Sequence, residues 1–372
     1  MNEVLVYVED PGAANYAADL PAALAAAGVG ARLLVRGTAD GYLRERGVPA
    51  EPVPADVEAD ALLGRTRPRL VVVGTSEDAD TLGLALVDAA RARGIPTLGL
   101  VDAFSNAEHR FRGRAEHPLA HAPDWLAVPD EWTRGAFVEL GADPARTVVC
   151  GHPQYDWVRA LAAELAREGR QAVRARVLPE AAERPVVVFV AEVSTGLDPA
   201  QYRKSAAYTL QGRGASTGRT RVVLEELLDS AAELRPRPYV VLRLHPKNTP
   251  QEFAAYAAEV DRVSAGGSPL ELAYAADLVV GMTSMLLLEA EILGVPTLSV
   301  VPREVEREWL PSVRYGGTPC VGSREELRRA LPRLLSAGGA SAGGGGAAPG
   351  GSLERVRRLV MDRLRETRGG SR

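Results

Sequence analysis

The sequence has few cysteines, no long apolar run and no excess of basic charge, and each absence excludes a class of protein. Its 372 residues include only Cys150 and Cys320, which provide neither a disulfide framework nor a cysteine-based metal site and which fit a reducing compartment. No apolar stretch reaches the roughly 18 residues that a membrane-spanning helix needs. The formal net charge of -4 gives no general affinity for nucleic acid.

The first residues also lack the pattern of a secretion signal. MNEVLVYVEDPG leads directly into an apolar run, without a basic segment, a separate apolar core and a small-residue cleavage site. We therefore expect a cytoplasmic protein. Because domains have about 150 residues each, a chain of this length predicts two of them.

Short β-branched runs alternate with helical patterns rich in alanine and leucine, which is typical of parallel α/β domains. Most of the runs are apolar on both faces, as expected for buried strands of a parallel sheet. The predicted architecture is therefore α/β, with two tandem Rossmann-like domains and a cleft between them. The ten predicted strands are 4–8, 31–36, 70–74, 97–101, 125–128, 147–151, 186–190, 239–244, 278–281 and 297–301.

Changes in composition divide the chain further. The predicted segments are an N-terminal domain at 1–151, a helical linker at 152–185, a C-terminal domain at 186–335, a Gly/Ala-rich flexible tether at 336–352 and an amphipathic helix at 353–372. We expect this terminal helix to dock on one of the domains. Alternatively, its arginines make a weak contact with anionic lipid at a membrane surface.

Polar residues in the N-terminal half follow the carboxyl ends of predicted strands, where open α/β sheets bind ligands. Glu9 and Asp10 come directly after the first strand and are the first candidates for a catalytic base. Alternatively, Asp10 only caps the first helix. Other residues near such ends are expected to line the cleft or to contact an acceptor; they are Gly12, Asn15, Ser76, Glu77, Asp102, Asn106, His109, Arg110 and His152.

Two motifs in the C-terminal half suit phosphate binding. His245 and Lys247 follow the strand at 239–244 and can donate to phosphate oxygens, although a solvated turn is the alternative. Thr283 and Ser284 begin the helix after the strand at 278–281, and helix starts attract anions. Glu289, farther along that helix, is either a partner for a ribose hydroxyl or a solvated surface charge.

The segment 201–223 is unusually long and basic for a connection in a compact domain. We predict a mobile lid that brings Arg213 and Arg219 to a donor pyrophosphate or to an acidic acceptor. The alternative is a disordered basic loop without a role.

Asp78 and Asp80 have the spacing of a D-x-D metal motif, but they begin a helix directly after a strand. Carboxylates in that position are typical of helix capping, so we predict no metal site and no cofactor.

The strand-His-Pro pattern and the later strand-G-x-T-S-helix-E-A-x-x-x-G-x-P pattern resemble the nucleotide-sugar site of GT-B fold glycosyltransferases of bacterial surface polysaccharides. Polysialyltransferases, capsule Kdo transferases and CDP-glycerol glycerophosphotransferases are the nearest groups, and UDP-N-acetylglucosamine 2-epimerases share the architecture. The resemblance spans most of residues 1–330. It implies that His245 and Ser284, together with Thr283, hold the donor phosphates, with Lys247 as an auxiliary cation.

Two further motifs of this resemblance lie in the N-terminal half. Polysialyltransferases carry an acidic-acidic-glycine motif whose carboxylate is the base, whereas here Pro11 separates Asp10 from Gly12, which leaves the choice of base open. The phrase Gly-x-Pro-x-x-Asp is matched by Gly151, Pro153 and Asp156. In such proteins this segment lies near the hinge.

The predicted function is a metal-independent glycosyltransferase in polysaccharide biosynthesis. It would move a sugar from a UDP- or CMP-type nucleotide-sugar donor to a hydroxyl group of a carbohydrate or small-molecule acceptor. The alternatives are a nucleotide-sugar 2-epimerase or hydrolase of the same fold, and a catalytically silent protein that binds sugar nucleotides.

Overall fold

The computed structural model describes residues 2–76, 78–194, 199–336 and 350–369. They form two compact units: unit 1 comprises Met1–Asp156 and Ala348–Arg372, and unit 2 comprises Trp157–Ala347. Each unit contains one parallel sheet with cores on both faces. The prediction of two Rossmann-like α/β domains is therefore confirmed. Among the described helices, none combines the length and the apolar character needed to span a bilayer.

The described part of unit 1 forms a seven-stranded parallel sheet. Its strands are β1 (Asn2–Val8), β2 (Gly30–Val35), β3 (Glu51–Pro52), β4 (Leu70–Gly74), β5 (Thr97–Leu100), β6 (Trp125–Val128) and β7 (Thr147–Val149), and their order in the sheet is β3-β2-β1-β4-β5-β6-β7. The helices are α1 (Pro11–Ala17), α2 (Leu20–Ala26), α3 (Thr38–Glu45), α4 (Ala59–Thr66), α5 (Leu82–Ala92), α6 (Ala107–Arg110) and α7 (Glu131–Glu139). Helix α8 (Pro153–Glu168) begins in unit 1 and continues into unit 2.

Unit 2 has a six-stranded parallel sheet in its described residues. The strands are β8 (Val186–Val190), β9 (Tyr239–Arg243), β10 (Arg262–Ser264), β11 (Leu278–Gly281), β12 (Thr297–Val300) and β13 (Cys320–Val321), in the order β10-β9-β8-β11-β12-β13. The α-helices are α9 (Arg170–Val177), α10 (Arg219–Ala232), α11 (Pro269–Ala275), α12 (Met285–Ile292), α13 (Pro311–Arg314) and α14 (Arg324–Ser336). Short 3-10 helices lie at Pro179–Ala181, Pro199–Tyr202, Pro250–Tyr256 and Glu304–Glu308.

Burial on both faces explains why the strands could be recognised as continuous apolar runs. In β8, Val187 and Phe189 face one core, whereas Val186, Val188 and Val190 face the other. All ten predicted strands are present, within two residues at each end. The three strands that were not predicted, β3, β10 and β13, are short and lie at the edges of the sheets. Such edge strands carry little apolar pattern.

The terminal helix α15 (Ser352–Gly369) packs on unit 1. Val356 and Val360 are fully buried in the core that also contains residues of α2, and the guanidinium of Arg363 lies 3.7 Å from the centroid of the Trp125 ring. The apolar face of the helix is therefore covered by protein. Contact of its exposed arginines with lipid stays a prediction. Residues 337–349 of the predicted tether lie outside the described residues.

The Gly-x-Pro-x-x-Asp segment holds the start of α15. The Asp156 carboxylate accepts hydrogen bonds from the backbone N–H groups of Gly351 (3.0 Å) and Leu353 (3.1 Å). Gly151 has a φ of +76°, and a Cβ added there would lie 2.4 Å from the Ser352 hydroxyl oxygen. Both the conformation and the close approach require glycine at this position.

Candidate functional site

The carboxyl end of the unit 1 sheet gathers five polar residues on three adjacent strands. The strand order reverses between β1 and β4, and such a reversal opens a crevice in which α/β sheets bind ligands. Glu9 and Asp10 follow β1, Thr75 and Ser76 follow β4, and Asp102 follows β5. We call these five residues the unit 1 edge.

Hydroxyl groups hold the three carboxylates of the unit 1 edge. The Ser76 hydroxyl donates to Asp10 Oδ2 at 2.7 Å, which joins the ends of β1 and β4. The Thr75 hydroxyl donates to Asp102, and the Thr81 hydroxyl donates to Glu9. Asp10 precedes α1, but its side chain makes no capping hydrogen bond. The alternative that Asp10 only caps this helix is therefore wrong.

Asp102 has the surroundings of an acid/base group. Burial raises the pKa of its carboxyl group, against the opposing effects of Arg110 and the Thr75 hydrogen bond, and the charge of Asp10 adds to the increase. A Cβ added at Gly12 would lie only 2.0 Å from Asp102 Oδ2, so glycine lets α1 approach this carboxyl group. A raised pKa makes a carboxyl group a stronger base, which is what general acid/base catalysis uses.

His152 lies inside unit 1 and not on a surface. Its ring is buried between Tyr16 and Tyr155, with centroids 4.7 Å and 5.0 Å away. The N–H of Gln154 donates to Nδ1 at 3.3 Å, and the ring also hydrogen-bonds the backbone of Asp102. Burial lowers the pKa of His152 to about 3, so the ring is neutral. The ring therefore packs within unit 1 against Tyr16, Tyr155 and the backbone of Asp102, and the predicted cleft-lining role stays a prediction.

Asn15 also packs within unit 1. Its side-chain oxygen accepts hydrogen bonds from the Tyr42 hydroxyl and from Arg46 Nη1, both at 2.8 Å. Asn15 therefore joins α1 to the end of α3, and contact with an acceptor stays a prediction. Glu77 lies outside the described residues.

The polar loop after β5 is held by local contacts. Asn106 adopts a left-handed conformation with a φ of +60° just before α6. His109 Nε2 lies 3.6 Å from Glu108, and the buried Arg110 donates to the carbonyl of Ser105 at 3.2 Å. Of these predicted acceptor contacts, Arg110 acts on the site through the charge that it places near Asp102.

The D-x-D spacing serves the turn before α5. The Asp78 carboxylate accepts the N–H of Asp80 at 3.0 Å, and Asp80 forms an exposed ion pair with Arg114. The helix itself is capped by Thr81, whose hydroxyl accepts the N–H of Gly83 at 3.1 Å. The two aspartates therefore shape the turn, and the threonine performs the capping.

Unit 2 has the corresponding crevice between β8 and β11, where its strand order reverses. Glu192 follows β8, His245 follows β9, and Thr283 and Ser284 follow β11. Arg219 is the first residue of α10. We call these five residues the unit 2 edge.

A buried ionic network fills the middle of the unit 2 edge. Arg219 is 4% exposed; its Nη1 lies 2.5 Å from Glu192 Oε2, and its Nε lies 2.8 Å from Glu306 Oε2. Glu192 also accepts the backbone N–H of Thr283 at 2.5 Å and its hydroxyl at 3.0 Å. Although burial favours the neutral acid, Arg219 and Thr283 hold the pKa of Glu192 below its ordinary value. Glu192 is therefore a fixed anion.

The His245 turn is ordered by its own side chains. The N–H of Lys247 donates to His245 Nδ1 at 3.1 Å, so the neutral ring carries its proton on Nε2. The N–H of His245 donates to Asn248 Oδ1 at 3.2 Å, and the Asn248 amide donates to Glu252 at 3.2 Å. This arrangement presents Nε2 as a hydrogen-bond donor at the carboxyl end of the sheet.

Comparison with known proteins identifies the fold. No protein-family model matches the chain, and no curated protein sequence does. Among solved structures, the UDP-GlcNAc 2-epimerase from Neisseria meningitidis bound to UDP-GlcNAc has a TM-score of 0.68 at 13% identity, covering 96% of this chain and 99% of that one. The UDP-GlcNAc 2-epimerase from Methanocaldococcus jannaschii, in complex with UDP-GlcNAc and UDP, has a TM-score of 0.67 at 15% identity with the same coverages, 96% and 99%. A glycosyltransferase from Rickettsia africae has a TM-score of 0.62 at 11% identity, covering 98% of each chain.

The chain has the GT-B fold. At these identities the similarity establishes the architecture, and the predicted GT-B type is confirmed.

Two predicted residues of this GT-B chain lie at the start of α12 and within it. Ser284 is the N-cap residue, and its hydroxyl accepts the N–H of Leu286 at 3.3 Å. Glu289 is only 8% exposed, so the alternative of a solvated surface charge is wrong. A ribose contact by Glu289 stays a prediction.

Arg213 is an anchor of its segment. Its guanidinium pairs with Asp229 at 2.8 Å and with Glu259 at 2.6 Å. The neighbouring backbone N–H groups of Gly212 and Arg213 donate to the buried carboxylates of Glu226 and Glu225, at 2.8 Å and 2.7 Å. This part of the segment is therefore bound to α10. It differs in this from the predicted mobile lid, in which Arg213 would contact a phosphate. Arg219, by contrast, lies at the edge of the sheet.

Sequence analysis missed three residues that shape the two edges. Glu192 and Thr75 each follow a predicted strand by one or two residues, so the strand-end rule could have selected them. Glu306 gave no such signal, because it lies in a short 3-10 helix and reaches Arg219 from 87 residues away.

Proposed function

We propose that this GT-B chain is a nucleotide-sugar enzyme and that it transfers the sugar to a hydroxyl group of an acceptor. The observation that carries the proposal is the Asp102 carboxyl group, which has a raised pKa at the end of β5, accepts from Thr75 and abuts Gly12. Carboxyl groups with perturbed pKa values cluster at catalytic sites. The fold shared with epimerases and a glycosyltransferase supports the same conclusion.

Unit 2 is proposed to bind the donor. His245 Nε2 and the hydroxyls of Thr283 and Ser284 would donate to the phosphate oxygens, with Lys247 adding positive charge and Glu289 taking a ribose hydroxyl. Donors fixed in advance stabilise the negative charge that collects on the nucleotide phosphate as the bond to the sugar breaks. This stabilisation needs side chains that are already oriented, and the His245 turn is oriented by Asn248.

Unit 1 is proposed to supply the proton transfer. As the acceptor oxygen forms its bond to the sugar carbon, its proton passes to a carboxylate of the unit 1 edge. Asp102 is the first choice, since its pKa is raised toward neutral pH, and Asp10 and Glu9 are the neighbouring candidates. His152 would keep the backbone of Asp102 in place without itself exchanging a proton, because its own pKa is about 3.

A second candidate is a nucleotide-sugar 2-epimerase. It is favoured by the match in fold, over 96% of this chain, to the epimerases of Neisseria meningitidis and Methanocaldococcus jannaschii. Epimerisation needs acid/base groups around the sugar and no acceptor. The same carboxylates could therefore serve it.

The test is to incubate the full chain with UDP- and CMP-linked sugars, with and without saccharide acceptors, and to follow nucleotide release and sugar configuration by NMR. Transferase activity predicts nucleotide release that depends on the acceptor. Formation of an epimer or a free sugar without acceptor would favour the second candidate. Tight binding of a nucleotide sugar with no turnover of any donor would refute both and leave a binding protein.

A further inference from the structure

Glu192 already accepts the hydrogen bond from the Thr283 hydroxyl that the proposed function assigns to a phosphate. One carboxylate oxygen accepts the backbone N–H of Thr283 at 2.5 Å, and the other accepts the Thr283 hydroxyl at 3.0 Å and Arg219 Nη1 at 2.5 Å. Phosphate oxygens use the same kinds of donor. The phosphate group of a bound ligand would therefore compete with the Glu192 carboxylate for the hydrogen-bond donors of Thr283.

The topology makes this competition unavoidable. Strand β8 lies between β9 and β11, so His245 and Thr283 stand on either side of the end of β8. Two strand spacings separate them, about 9.5 Å. A phosphate group that reaches both must lie over the end of β8, where Glu192 is.

The charges of the network lead to the same conclusion. Arg219 and Arg303 contribute two positive charges, and Glu192 and Glu306 contribute two negative charges, all within one hydrogen-bonded group. A phosphate added to this balanced group would leave a buried negative charge without a partner, which is strongly unfavourable. If Glu192 turns away, the remaining group has one positive charge to offer the phosphate.

Glu192 and Glu306 differ in how easily their carboxylates can move out of the ionic network around Arg219. The Glu306 side chain is 0% exposed and contacts Arg219 and Arg303, whereas that of Glu192 is 14% exposed and also contacts Thr283. Glu192 is therefore the carboxylate that has a path to solvent, whereas Glu306 is enclosed. The two carboxylates share Arg219 but have separate roles.

We propose that Glu192 is an internal inhibitor of the phosphate site: its carboxylate occupies the place of a donor phosphate in the unliganded protein and leaves when the phosphate binds. This inference rests on the proposed function for the identity of the natural ligand. A ligand must displace Glu192, so its observed affinity is the intrinsic affinity multiplied by the fraction of molecules in which the place is free. The same factor weakens small anions such as inorganic phosphate and nucleotides, but a nucleotide gains further binding energy from its other groups.

The test is to measure the Kd of pyrophosphate and of UDP by titration calorimetry for the full chain and for Glu192→Gln. The glutamine keeps the size of the side chain but loses the charge. If the carboxylate fills the place in about 90–99% of molecules, the variant should bind both ligands about 10- to 100-fold more tightly. Glu192→Asp, which retracts the carboxylate but keeps its charge, should tighten binding to a smaller degree and serves if the first variant does not fold.

Glu306→Gln is the matched control, because it removes the same charge from Arg219 without touching Thr283. It should give no comparable tightening. If it does not fold, the exposed Glu304→Gln reports the effect of charge alone. Pyrophosphate affinity that is unchanged or weaker in Glu192→Gln, including undetectable binding in both proteins, would overturn the inference. Tighter pyrophosphate binding without any binding of nucleotides would support it while refuting the proposed nucleotide-sugar function.

Discussion

The two sheet edges present carboxylates at the same point of the same fold, but they stabilise them differently. In unit 1, hydroxyl groups donate to Glu9, Asp10 and Asp102. In unit 2, arginines hold Glu192 and Glu306. The two pKa values differ accordingly: burial raises that of Asp102 against the opposing effects of Arg110 and Thr75, whereas Arg219 and Thr283 outweigh burial and lower that of Glu192. Burial favours the neutral form of a carboxyl group unless a direct ion pair offsets it.

Removing Arg219 should disrupt the ionic network of the unit 2 edge and cause the largest loss of stability. Arg219→Ala leaves Glu192 and the fully buried Glu306 without their main counter-charge. We expect the free energy of unfolding to fall by about 3–5 kcal/mol, measured by urea denaturation. Arg221→Ala, on the exposed side of the same helix, should change it by less than about 0.5 kcal/mol. Equal losses in the two variants would show that the network contributes nothing specific.

Asp102→Asn should abolish most of the activity that we assign to the unit 1 edge without lowering the stability of the protein. If Asp102 exchanges the proton, turnover of the nucleotide sugar should fall about a thousandfold, while the Kd of the nucleotide stays the same. Asp80→Asn, at an exposed ion pair, is the control. A variant that retains full turnover would move the acid/base role to Asp10 or Glu9.

The same variant tests the direction of the Asp102 pKa shift. Because the pKa is higher in the folded chain, ionised Asp102 lowers stability once the pH rises above its ordinary value. The asparagine removes this loss, so Asp102→Asn should be at least as stable as the parent at pH 8 and lose that advantage near pH 4. Thermal unfolding at the two pH values measures the difference.

The strands could be predicted from the sequence because strands buried on both faces have continuous apolar runs, as Val186–Val190 shows. The strand-end rule then selected Asp102, His245 and Thr283. Their hydrogen-bond partners could not be predicted in this way, because Thr75 reaches Asp102 across 27 residues and Glu306 reaches Arg219 across 87. Such pairs depend on strand order, which local patterns do not specify.

The basic segment 201–223 shows that charge in the sequence does not predict which arginines lie at the site. Arg213 and Arg219 are both arginines of one glycine-containing stretch, yet Arg213 pairs with Asp229 and Glu259 whereas Arg219 lies at the sheet edge. The deciding fact is that Glu226 in α10 is buried and accepts a backbone N–H of the segment. A pattern of charges along the chain does not reveal which carboxylates are buried.

His152 should make the stability of unit 1 depend on pH in the mildly acidic range. The pKa of the buried ring is about 3, against 6.5 as the ordinary value. Below pH 6.5 the unfolded chain binds a proton that the folded chain does not, so stability falls as the pH decreases. Between pH 6.5 and 4.5 the loss from this group should be about 2 kcal/mol.

His152→Gln should remove this part of the pH dependence, measured as urea midpoints at several pH values. The exposed His117→Gln is the control, and its stability curve should follow that of the parent. If the curve of His152→Gln also follows the parent, the ring is not the buried neutral base that the structure shows.

Gly12→Ala tests, with a single added methyl group, whether the close approach of α1 fixes the position of Asp102. Both Gly12 and Gly41 lie in helices, where alanine is ordinarily favoured, but a Cβ at Gly12 would lie 2.0 Å from Asp102 Oδ2, whereas nothing lies within 4 Å of one at Gly41. We therefore expect Gly12→Ala to lower the free energy of unfolding by about 2 kcal/mol and Gly41→Ala to raise it by about 0.4–1 kcal/mol. Pyrophosphate binding, which is assigned to unit 2, should be unchanged in both, whereas turnover should fall only in Gly12→Ala as Asp102 is displaced. Equal stability of the two variants would mean that α1 can move aside, and that the close approach of this helix does not fix the position of the carboxyl group.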